Sequence, residues 1–113
     1  MGAYEDIHCL EDFGIIAGSY KILYIDCIDS NGKPIDLSVV TRYGCNFFYL
    51  GTDILAFNIP GEIMTNDPSC MIININSSFT EDFGTCCLEY VPYLYTGGNI
   101  IKFGKGRLTI EEG

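Results

Sequence analysis

Cys9 stands next to His8, and a thiol beside an imidazole is the pairing that gives a nucleophile and its general base. Neighbouring side chains point apart, however, and no third residue is placed to orient the base, so the pair does not read as a hydrolase centre. The other cysteines, Cys27, Cys45, Cys70, Cys86 and Cys87, are dispersed without CxxC spacing, and His8 is the single histidine. A zinc site needs grouped thiolate and imidazole ligands, so none is expected. Six cysteines would allow disulfides, yet most lie within apolar runs where a free thiol behaves as a small hydrophobe, and reduced thiols are expected.

Asp29, Asn31 and Asp36 offer oxygen ligands, but the remaining positions of a calcium loop, with its distal Glu, are missing. A turn is the better reading of Asp29-Ser30-Asn31-Gly32, since Asn and Gly tolerate the positive φ of a tight turn. Pro34, Asp36 and Leu37 then fix the way the chain leaves it, with Ile35 and Leu37 packing inward and Asp36 accepting backbone N–H groups. The acidic pairs Glu81-Asp82 and Glu111-Glu112 read as solvated rims, because nothing sets two carboxylates across a cleft. No catalytic residue, metal or cofactor is therefore expected.

These residues sit in a chain of 113 amino acids with a net charge of −9, 48% hydrophobic and 19% charged residues, eight Tyr and seven Phe. The length suits one core, and the composition is far from that of a disordered chain. The acidic balance repels phosphate backbones and anionic lipid, so nucleic acid and membrane are not expected partners. No apolar run is long enough to span a bilayer, and the N-terminus does not read as a secretion signal. A soluble protein made in the cytoplasm is expected.

Residues 1–14 read as an N-terminal arm and residues 15–113 as one domain. Within the domain, short β-branched and aromatic runs alternate with Gly, Asn, Asp and Pro clusters. Strands are expected over Tyr20 to Ile28, Cys45 to Leu50, Asp53 to Ile59, around Ile63, from Met71 to Asn76, over Thr85 to Tyr95, and from Ile100 onward. Leu23, Ile25 and Cys27 form the expected core face of the first of these, and Cys86, Leu88 and Tyr90 share one face of the strand from Thr85, with Cys87, Glu89 and Val91 on the other. Pro92 cannot donate to a ladder and marks an edge or a bulge. Gly104 and Gly106 mark a bulge in one long strand or a corner between two. About seven short strands without a helical pattern predict an all-β, immunoglobulin-like antiparallel sandwich.

Ile15-Ile16-Ala17-Gly18-Ser19-Tyr20, the strand after it, and Asp29-Ser30-Asn31-Gly32-Lys33-Pro34-Ile35-Asp36-Leu37-Ser38 resemble the immunoglobulin-like N-terminal domain of phage baseplate upper proteins. The closing Gly106-Arg107-Leu108-Thr109-Ile110-Glu111-Glu112 is similar to the end of that domain. Ser19 departs from it, since the family usually carries an acidic residue there. The resemblance implies a non-enzymatic tail or baseplate module of a phage or prophage virion, assembled in the bacterial host cytoplasm and bound to other tail or baseplate proteins, as a homo-oligomer in the particle.

Tyrosines supply the competing signal. Tyr90, Pro92, Tyr93 and Tyr95 form an expected protein interface, because Tyr is enriched at interface cores. With Tyr43 and Tyr49, the same rings could instead stack on sugars, as in a small carbohydrate-binding module of a host-recognition device.

Overall fold

The computed structural model describes residues 10–113 and is an all-β, immunoglobulin-like sandwich of two sheets. Nine strands occur among these residues: β1 (Phe13–Ile16), β2 (Lys21–Asp26), β3 (Arg42–Tyr49), β4 (Leu55–Pro60), β5 (Glu62–Met64), β6 (Asp67–Ile75), β7 (Cys86–Thr96), β8 (Asn99–Lys102) and β9 (Gly106–Glu111). The larger sheet runs β1-β9-β7-β3-β4, with β8 also paired to β7, and the smaller runs β2-β6-β5. All pairings are antiparallel except β1 with β9, where Phe13 lies opposite Leu108 and Ile16 opposite Glu111.

Alternation decides which face each strand buries. In β7, Leu88, Tyr90 and Leu94 point inward, and in β9 so do Leu108 and Ile110. Cys45, Phe47 and Ile59 extend that surface, while Ile25, Met71, Ile73 and Ile75 line the facing sheet. Phe47 lies at its centre, stacked on Phe57 with ring centroids 4.5 Å apart. The predicted core face of the strand at Tyr20 to Ile28 is thus the buried one, although Leu23 is only half-buried, and of the two faces expected for Thr85 to Tyr95 the one with Leu88 and Tyr90 is buried.

The strands differ from the expected seven in three local respects, two of which add a strand and one of which lengthens β6. The arm boundary drawn at residue 14 falls inside β1, whose four residues are too few to show a period. The polar stretch Asn66 to Ser69, which lies before the strand expected from Met71, contributes Asp67, Pro68 and Ser69 to β6, because Met64 pairs with Asp67 across only two residues. Gly104, at φ 136°, makes the corner that separates β8 from β9. A single helical turn, α1 (Ser77–Thr80), follows β6; its Thr80 is fully buried and accepts a hydrogen bond from the Gly18 N–H at 3.0 Å, tying the β1-β2 turn to the segment that leaves β6 at the same end of the smaller sheet.

Candidate functional site

Asp29 organises its own turn. Its Oδ1 accepts the N–H groups of Asn31 at 2.8 Å and Lys33 at 2.9 Å, and its C=O accepts Gly32 N–H at 3.0 Å. Gly32 takes the positive φ of 79° that the reading of the turn required. The turn closes on one isolated bridge, Ile28 with Pro34, rather than on a long hairpin. Asp36 caps a 3-10 turn (Leu37–Val39), accepting Ser38 N–H at 2.9 Å and Ser38 Oγ–H at 2.6 Å. Those two bonds, the hydroxyl's first, hold the Asp36 carboxyl below the usual carboxylate range. Leu37 is 1% exposed and joins the core. The carboxylates of this segment thus accept bonds from the segment's own chain.

The expected tyrosine interface is placed differently, and this is a correction. Tyr90 and Tyr93 are each 3% exposed, Pro92 is fully buried, and only Tyr95 is half-exposed. Tyr90 points inward, edge-on to Phe13 at 5.3 Å, and its hydroxyl donates to the Glu11 carbonyl. Burial pushes its pKa up to about 12, with Cys45, Asp12 and Glu11 adding to the effect. Tyr93 points to the outer face of the larger sheet yet stays covered, because its partner across the ladder is Gly44. With no side chain there, the phenol lies over β3, and its oxygen accepts Asn58 Nδ2–H at 2.9 Å. Asn58 also donates to Asn46 Oδ1 at 2.8 Å, and the Arg42 guanidinium sits 5.2 Å over the Tyr95 ring.

Pro92 lies in a strand flanked on both sides, not on an edge. The Phe103 N–H donates to its carbonyl at 3.1 Å, so its missing N–H would face the same flank. On that flank β8 finishes opposite Tyr93 and β9 begins opposite Tyr90, leaving a gap where no ladder donor is required.

The five described cysteines are free thiols. Burial raises Cys27 to about 12, helped by neighbouring Cys70 and Asp26, and burial lifts Cys45 further still. The same cause raises Cys70 and Cys86. A thiol with a pKa near 12 is about one part in 10⁴ thiolate at pH 8, and thiolate is the reacting species. Cys27 and Cys45 should therefore resist an aromatic disulfide reagent in the native protein at pH 8, then react within seconds in denaturant; prompt native labelling of either would contradict this burial. The Cys9–His8 pair lies outside the described residues. Among those residues no group of three His, Cys, Asp or Glu could hold a metal ion, and no helix is long and apolar enough to cross a membrane.

A groove of about 810 Å³ lies between β2 and the β1 side of the larger sheet. Phe13, Ile22, Tyr24, Ile28 and Phe103 give it apolar walls, and Glu11, Asp26 and Asp29 stand at its rim with Lys21. Sequence reading missed this site because its residues come from four separate segments. Its one local signal was the polar end, Asp26, of an otherwise apolar strand.

No family model matches the chain, and no curated protein matches it in sequence. Among solved structures it is similar to CopC from Methylosinus trichosporium OB3b, at 10% identity and a TM-score of 0.50, over 89% of this chain and 84% of that one. At that identity the likeness concerns the sandwich fold alone.

Proposed function

We propose that this domain is a non-catalytic structural module of a phage or prophage tail or baseplate, working through protein–protein contacts in a virion assembled in the bacterial host cytoplasm. The observation that carries the reading is the Asp29 to Ser38 segment, whose resemblance to baseplate upper proteins includes both the turn residues and the anchor. Its physical behaviour suits a scaffold: Asp29 and Asp36 accept bonds from their own backbone, and Leu37 locks the segment to the core. The exposed apolar side chains Tyr24, Val39 and Ile54 supply surface that a neighbouring subunit can cover.

The sugar-binding alternative loses two of its rings, because Tyr90 and Tyr93 have no free face to stack on a pyranose. Mass spectrometry of purified particles from an induced host tests the proposal. The protein is expected in the particle fraction at a stoichiometry comparable with other tail proteins. Its absence from particles, with its gene far from tail and baseplate genes, would overturn the assignment.

A further inference from the structure

We infer that the groove beside β2 is the docking site for the β7-β8 hairpin of a second copy of this chain. This deepens the reading of the domain as a contact module, and the partner follows from the distribution of charge and of unpaired backbone.

The chain has fifteen Asp and Glu against six Lys and Arg, yet no acidic residue occurs between Glu89 and Glu111, a stretch that holds Lys102, Lys105 and Arg107. Half of the protein's cations are thus on one acid-free segment, and β8 lies within it. All four residues of β8 are exposed, including Ile100 at 44% and Ile101 at 38%. Among the described residues β8 pairs only with β7. Because the Phe103 N–H bonds to Pro92, the ladder turns the backbone groups of Ile101 toward β7 and those of Ile100 and Lys102 outward.

The groove offers the complement. Among the described residues β2 is an edge strand of the smaller sheet, six residues long, without proline and with an unbroken register against β6. The Cys27 N–H bonds to the Ser69 carbonyl at 2.8 Å, so alternation leaves the backbone groups of Ile22, Tyr24 and Asp26 facing the groove. The other edges among the described residues are shorter or broken: β1 has four residues, β4 ends in Pro60 and has a register shift, and β5 is three residues long with another. The groove walls can take the two isoleucines, and the rim holds Glu11, Asp26 and Asp29 against Lys21 alone, which favours a cationic strand. Strand addition supplies main-chain bonds, while alternate side chains set the specificity. At physiological ionic strength the net −9 of each copy is screened beyond about 8 Å, whereas charges meeting across the groove are not.

Exposed charges allow a test that does not endanger folding. Sedimentation velocity in 0.15 M salt, over a wide concentration range, is run on the full chain, on Asp26→Lys, on Lys102→Glu, and on an equimolar mixture of the two variants. The wild type is expected to self-associate. Each charge reversal should weaken association about fivefold, as for a partly exposed ion pair turned repulsive. The mixture should recover it, because the reversed hairpin then meets the reversed groove. Ile100→Asp, with an unchanged melting curve, should weaken association at least tenfold. A wild type that stays monomeric at the highest concentration would overturn the inference, as would variants that associate like the wild type. Either result leaves the tail assignment standing, and absence from particles would leave this contact standing.

Discussion

Leu37→Ala should lower the unfolding free energy by about 2–5 kcal/mol, the range for deleting a buried leucine side chain and leaving its cavity. A domain of this size has only about 5–15 kcal/mol in total, so the variant is expected to be partly unfolded at moderate denaturant where the wild type is intact. The reason is position. Leu37 is 1% exposed although it sits on a 3-10 turn outside both sheets, and it is the residue through which the Asp29 to Ser38 segment enters the core. Asp36→Ala removes bonds that are open to solvent and should shift the transition far less. Urea titration followed by circular dichroism separates the two. A Leu37→Ala loss within about 0.5 kcal/mol, the size of an ordinary surface substitution, would mean that the segment lies on the sandwich without anchoring it.

Gly106→Ala is the second large effect, of opposite physical origin. A Cβ at this position would lie 2.6 Å from Tyr90 Cε1 and 2.7 Å from its Cζ. The ring has little room to yield, with Phe13 edge-on at 5.3 Å, Phe47 at 6.2 Å and its hydroxyl held by the Glu11 carbonyl. Overpacking of this kind costs about 1–3 kcal/mol. Gly14→Ala in neighbouring β1 is the control, since its Cβ would meet Thr109 at an ordinary 3.5 Å. The damage should be relieved in the double variant Gly106→Ala, Tyr90→Leu relative to the sum of the two single changes, and a strictly additive pair would rule out the steric account.

The sandwich was legible where a strand has one wet and one dry face. Cys86, Leu88 and Tyr90 alternate with Cys87, Glu89 and Val91, so the two faces follow from that period alone, and burial identifies the first as the inward one. Leu108 and Ile110 behave likewise, separated by Thr109. Legibility failed where a residue's surroundings come from a distant strand. Tyr93 sits in phase with the outer face, and only its pairing with Gly44, 49 positions earlier, explains why it is covered. Pro92 looked like an edge because a proline in a central strand lacks a ladder bond, and nothing nearby in sequence reveals that β8 and β9 leave a gap opposite it. The groove was invisible for the same reason, being assembled from Phe13, β2, the Asp29 turn and Phe103. The Asp29 turn was readable because its hydrogen bonds span at most four residues.

The parallel pairing of β1 with β9 has a consequence for synthesis. Phe13 meets Leu108 and Ile16 meets Glu111, so the first strand finds its partner only when the last has left the ribosome. Until then β1 is an unpaired apolar segment, and loop closure over nearly the whole domain must precede the bonds that reward it. Nascent chains of this protein should thus depend on holding chaperones until Glu111 emerges, whereas the β3-β4 hairpin can form while the chain is still growing.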